Sequence, residues 1–183
     1  MTADGAIRRS GWLTARRTAT SIVLILLVYA VIIRPWHLGW GATEAEIDQR
    51  MPGDEVLASP DFDATRAIAI AAPPEQVWQV LEPRAQAVVA ARGRGRRWER
   101  QVEPGRWIVW KDARAEYTWS WQVEGNGSGL TRLVTRQRTS YRWRSPTVVL
   151  SLLAEVRDIV ALRAALRDVK RQAEQGREAV DSR

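Results

Sequence analysis

Residues 64–81 read ATRAIAIAAPPEQVWQVL, and this stretch decides the fold. Ile68 and Ile70 alternate with small residues, the pattern of a strand with one buried face. Pro73 and Pro74 cannot extend a ladder, so the strand stops there. Pro74 suits a first helical turn, and Glu75 suits the positive end of a helix. Val77, Trp78 and Leu81 then fall at helical spacing on one side. Glu82-Pro83 is expected to end this helix, with 84–92 as a second helical piece broken by Gly93 and Gly95.

Working outward, residues 96–141 read as an antiparallel meander. A strand over 96–102 turns at Glu103-Pro104-Gly105-Arg106 into a partner over 107–111. Over 116–124, Tyr117, Trp119, Trp121 and Val123 point one way. Glu116, Thr118, Ser120 and Gln122 point the other, the alternation of a half-buried strand with an aromatic face. The 125–129 loop, GNGSG, leads to a return strand over 130–141. After Ser145-Pro146, the residues Leu152, Val156, Ile159, Leu162, Leu166 and Val169 recur at three- and four-residue steps. That predicts a long amphipathic helix with one face made to lie on a sheet, ended by Gly176.

The step IAAPPEQVW at 70–78 resembles the opening of the SRPBCC (START-like, helix-grip) superfamily, which includes polyketide cyclases and carriers of hydrophobic ligands. WGAT at 40–43 and PGDE at 52–55 look like the lead-in of a membrane-associated actinobacterial subgroup of it. VEPGRWIV at 102–109, residues 119–123 and LTRLVTR at 130–136 look like its hairpins. The resemblance spans residues 40–174 and implies an α+β helix-grip fold, an antiparallel sheet wrapped on a long C-terminal helix. Members usually carry more strands and an insert that edges the cavity. Here Leu81 and Trp98 are close in sequence and five strands are expected, so the fold is a truncated version.

The N-terminal region is of a different kind. Thr18 to Ile33 is free of charge, slightly short of the roughly 20 residues that cross a bilayer. Arg16, Arg17 and Arg34 can snorkel, and Trp12, Trp36 and Trp40 flank the run as interfacial aromatics do. The bulky Arg34-Pro35-Trp36 disfavours a cleaved signal peptide. Residues 1–17 carry four arginines and one aspartate, whereas 35–63 carry one arginine and seven acidic residues. The positive-inside rule then puts the N-terminus in the cytoplasm and the domain outside a cell membrane crossed once. The expected organisation is a basic tail (1–17), a transmembrane anchor (18–36), an acidic connector (37–63), the folded domain (64–176) and a frayed tail (177–183). In the connector, Thr43-Glu-Ala-Glu has the form of a capping box.

Composition narrows the chemistry. The 183 residues carry no cysteine and one histidine, His37, beside the apolar run. That argues against a His-based metal site or a Ser-His-Asp triad in the domain, and no cofactor is expected. The carboxylates Glu99, Glu103, Asp112, Glu116 and Glu124 are scattered and form no acid/base couple.

Ten tryptophans accompany a single phenylalanine. Tyr117, Trp119 and Trp121, with Trp107 or Trp110, either fill the wedge between sheet and helix or border an apolar cavity in it. Residues 84–144 hold fourteen Lys or Arg against five Asp or Glu, with Arg92, Arg94, Arg96, Arg97 and Arg100 crowded around two glycines. Such a patch with interleaved tryptophans suits nucleic acid, but the anchor and outward orientation argue against that. It is either a solvated basic surface or a contact for anionic lipid headgroups. The partners expected are the lipid bilayer and an apolar small molecule, and nothing in the sequence sets an oligomeric state. The functional expectation is a membrane-anchored domain that binds an apolar small molecule or lipid without catalysis. The alternatives are a cyclase/aromatase-like enzyme, which needs a buried acid beside Trp119 or Trp121, and a structural or regulatory membrane protein with a filled core.

Overall fold

The meander forms as its alternation requires. The computed structural model describes residues 38–92, 97–140 and 147–181, and of the N-terminal segment Thr18, Thr20, Ser21, Leu24, Leu27 and Val28. It divides into two units, Met1–His37 and Leu38–Arg183. In the first unit the described residues are helical, and Leu24, Leu27 and Val28 are exposed. The remainder of the expected anchor, and the basic tail, lie outside the described residues. No helix among the described residues is long and apolar enough to cross a membrane.

The second unit is an α+β, helix-grip-like domain. Its five strands are β1 (Phe62–Ile70), β2 (Trp98–Glu103), β3 (Trp107–Asp112), β4 (Tyr117–Gly125) and β5 (Thr131–Thr139). They form one antiparallel sheet in the order β1-β5-β4-β3-β2. Ahead of β1 come a short helix α1 (Glu44–Asp48) and a 3-10 turn (Asp54–Val56). Helix α2 (Pro74–Arg92) follows β1, and α3 (Thr147–Asp181) closes the chain.

One sheet face, here the inner face, packs on α2 and α3. Ile70, Ile108, Trp110, Trp119, Trp121, Val123 and Leu133 meet Val77, Leu81, Ala85 and Val89 of α2 and Leu162, Leu166, Val169 and Ala173 of α3. Each such Val, Leu or Ile side chain contributes about 1.5–3 kcal/mol by leaving water.

Two helix boundaries differ from the sequence expectation. Pro83 does not end α2 but sits inside it. The buried residues Val77, Leu81, Ala85 and Val89 recur every fourth position straight past it. A continuous apolar stripe against α3 outweighs the roughly 3 kcal/mol that an interior proline costs. Gly176 likewise does not end α3, which continues to Asp181 through the expected frayed tail. Glu174 accepts the Ala71 N–H (2.8 Å) and Arg177 donates to the Ala71 carbonyl (3.1 Å), so the helix is held to the end of β1 on both sides of the glycine. A Cβ at Gly176 would lie 2.7 Å from Gln76 Nε2 of α2, the far end of a flexible side chain.

The outer face corrects a further expectation. β4 is buried on both faces, not one: Thr118 and Ser120 are as buried as the tryptophans opposite them. The cover is the acidic connector, which folds as part of the domain. Thr43 and Glu46 form the expected capping box at the start of α1, with Thr43 N–H to Glu46 Oε2 at 2.7 Å and Glu46 N–H to Thr43 Oγ1 at 3.2 Å. Further along, Ser120 Oγ donates to the Pro52 carbonyl (2.6 Å), and Met51 packs on Ala67 and Val134. Three β5 arginines grip this strap. Arg132 makes a fork to Glu46 (2.5 and 2.8 Å), and Arg138 binds Asp63 (2.8 Å) and the Asp54 carbonyl (3.0 Å). Arg136, 3% exposed, uses all five of its N–H groups, on Thr65 Oγ1, Asp54 Oδ2 and the carbonyls of Glu46, Ile47 and Gln49. Those carbonyls end α1, where helix oxygens lack partners and a positive charge is favoured.

Candidate functional site

The inner face carries an aromatic ladder. Trp98 meets Tyr117 edge to face (5.4 Å between centroids), Tyr117 meets Trp119 (6.5 Å), and Trp119 stacks on Trp121 (5.4 Å, 29° between planes). Trp110 stands directly across from Trp119 in the β3–β4 register and shares its face. Of the expected cavity residues, the sheet therefore gathers Trp110, Tyr117, Trp119 and Trp121. Trp107 is excluded from this group. It pairs with Gln122, lies on the outer face, and donates its indole N–H to Glu103 (2.6 Å). Alternation along β3 permits only one of the two tryptophans on the inner face.

Polar groups are set into this aromatic wall. Arg66, 1% exposed, shares the inner face with Ile68 and Ile70 and donates to Gln137 Oε1 (3.0 Å). Gln137 Nε2 donates to the Tyr117 hydroxyl (3.0 Å). Trp119 Nε1 donates to Thr135 Oγ1 (2.8 Å), which in turn donates to the Ser120 carbonyl (2.9 Å). Two donors stand outside these chains: the indole N–H groups of Trp98 and Trp121 are buried without an acceptor among the described residues. A buried donor left unmade costs about 1–3 kcal/mol, which an apolar side chain of similar shape would avoid.

The buried acid of this face is Asp112, whose Oδ1 accepts the N–H groups of Glu116 (2.8 Å) and Tyr117 (3.0 Å). It shapes the β3–β4 turn. Among the described residues no cluster of His, Cys, Asp or Glu could hold a metal ion. Among the described residues, two of the pockets lie away from the aromatic wall. One, of about 220 Å³, is bordered by Ile47, Asp48, Arg50, Glu55 and Arg138 under the strap. The other, of about 400 Å³, lies at Ala71, Glu174, Arg177 and Glu178.

The five arginines expected to meet anionic lipid are only partly placed. Arg94 and Arg96 lie outside the described residues, and Arg92 is described in its backbone alone. Arg97 is exposed ahead of β2, while Arg100 is ion-paired with Glu82 of α2 and ties the edge strand to that helix.

Sequence reasoning missed Arg66, Gln137 and Trp98. The parity of Arg66 with Ile68 and Ile70 was the available signal for the first. For Gln137 and Trp98 the signal was register, which requires knowing how the strands pair.

No family model and no curated protein matches the chain. Solved structures do. A polyketide-cyclase-like protein of Corynebacterium glutamicum superposes with a TM-score of 0.49 at 15% identity, covering 64% of this chain and 94% of its own. The Zhui aromatase/cyclase of Streptomyces sp. R1128 gives 0.43 at 18%, covering 61% and 94%. The Aha1 dimer of Colwellia psychrerythraea gives 0.36 at 13%, covering 57% and 96%. The likeness is a loose one of sheet laid against helix and carries no information on activity.

Proposed function

We propose that the chain is a membrane-anchored member of the START-like superfamily, of its membrane-associated actinobacterial subgroup, and that it holds an apolar small molecule or lipid between the sheet and α3 without catalysis. The observation that carries the binding reading is the pair of buried indole donors, Trp98 Nε1 and Trp121 Nε1, that meet no acceptor among the described residues. A well-packed filler gains nothing from such donors. A ligand-binding wall does, because ligand sites combine apolar surface with a few polar groups that fix orientation. The ligand that suits the wall is flat or aliphatic and bears an acceptor oxygen. Binding without catalysis is supported by Asp112, whose Oδ1 is already taken by backbone N–H groups.

The anchor reading is supported by the charge-free run from Thr18 to Ile33 and by the exposed helical side chains of Leu24, Leu27 and Val28. Orientation with the domain outside follows from the arginines of 1–17. Titration of the full chain with fatty acids and with aromatic polyketides, read by tryptophan emission, tests the binding reading. A saturable shift is expected from at least one class, and an unchanged spectrum across both would count against it.

A further inference from the structure

Trp40 lies where the strap leaves the helix side of the domain and crosses the β1 edge. Its carbonyl accepts the Ala67 N–H of β1 (3.1 Å), and its ring is half-buried against the core. Over that ring sit two guanidinium groups of α3, Arg163 at 4.5 Å and Arg167 at 5.8 Å from the centroid. A ring attracts one cation well, but two cations one helical turn apart repel each other. Arg167 is exposed and has no carboxylate partner among the described residues. The adjacent acid, Asp168, is already shared by Arg84 and Arg171. Burial first, and the charge of Arg167 second, lower the pKa of Arg163. An anion held beside the two guanidiniums would offset their mutual repulsion.

We propose that Arg163 and Arg167, held against the Trp40 ring, bind the phosphate of an anionic phospholipid headgroup. The choice of a lipid rests on the anchor reading above. Trp40 follows Ile33, the last residue of the apolar run, by seven positions, a reach of at most about 25 Å. Indole rings and arginines are the side chains suited to the headgroup layer. The arginines expected from the sequence to meet lipid, at 92–100, lie in a different part of the chain from this site.

The test uses the full chain in maltoside micelles, titrated with dioctanoyl phosphatidylglycerol, dioctanoyl phosphatidylcholine or inorganic phosphate and read by tryptophan emission. Phosphatidylglycerol should saturate the wild type. R163Q/R167Q should weaken that binding by about tenfold or more, and R163K/R167K, which keeps the charges, should retain most of it. Equal binding by R163Q/R167Q and wild type overturns the site, as does equal affinity for phosphatidylcholine. Inorganic phosphate that competes as well as the lipid overturns the lipid as occupant. Extraction of the full chain from membranes with alkaline carbonate separates the two readings. Release overturns the anchor and with it the source of the headgroup, whereas retention with unchanged binding by R163Q/R167Q overturns the site alone.

Discussion

Arg136 Nη1 and Asp54 Oδ2 meet at 2.7 Å beneath the strap, and this pair fastens the acidic connector to the sheet. Removing the guanidinium leaves the largely buried Asp54 with only the Met51 N–H (2.9 Å) and Arg138 (3.4 Å), and takes this donor from three carbonyls at the end of α1. R136A should cost about 3–5 kcal/mol in chemical denaturation. R136K should recover only part of this, because an ammonium offers three donors where five are used. A melt of R136K indistinguishable from wild type would show that the five contacts are not what holds the strap.

Glu46 gives the strap an acid limit. The Arg132 hydrogen bond, opposed by burial and aided by the Thr43 N–H and the Arg132 charge, holds its pKa at about 2 against an ordinary 4.5. A folded pKa below the unfolded one means that this stability is complete above pH 4.5 and is lost as pH falls toward 2. E46Q should therefore be less stable than wild type by about 1–3 kcal/mol at pH 7, with a flatter decline between those pH values. Denaturation midpoints measured across the range check it. Parallel acid limbs in the two proteins would assign the pH dependence elsewhere.

Pro83 offers a test in the opposite direction. It interrupts the hydrogen bonding of α2 while its neighbours Leu81 and Ala85 stay buried. P83A should stabilise the domain by about 1–3 kcal/mol by restoring a helical N–H. A destabilised variant would mean that the proline sets a bend that the α2–α3 packing requires.

Two glycines should respond in opposite ways. Gly41 has φ +72°, and a Cβ there would collide with the Ala67 carbonyl oxygen of β1, so G41A should cost about 2 kcal/mol or more. At Gly176 the added Cβ meets only the far end of the Gln76 side chain, and G176A should be neutral or gain up to about 1 kcal/mol. Thermal melts of the two variants should therefore shift apart, and a matching loss in both would show that the Gln76 side chain cannot move aside at Gly176.

These contrasts show what could be read from the residues alone. The strands of the meander were legible because Tyr117, Trp119, Trp121 and Val123 alternate, and α3 because Ile159, Leu162, Leu166 and Val169 keep a helical step. Pro83 and Gly176 misled because local breakers yield to continuous tertiary packing. As sequence, the strap reads as a connector because it is rich in acidic residues. Their partners Arg132, Arg136 and Arg138 lie more than 70 positions away in sequence, and only the β1–β5 register brings them together. The aromatic wall was legible as a set of candidates. Choosing between Trp107 and Trp110 needed the β3–β4 register, and the unmatched donors of Trp98 and Trp121 needed coordinates.

On the proposed reading, the wall of Trp98, Tyr117, Trp119 and Trp121 holds an apolar molecule. Native mass spectrometry of the full chain purified from membranes tests this most directly, with W98F/W121F as the comparison. A bound apolar species is expected on the wild type, released on activation and identified by its mass, and much reduced on the variant. A bare wild-type chain, or the same adducts on both proteins, would contradict it.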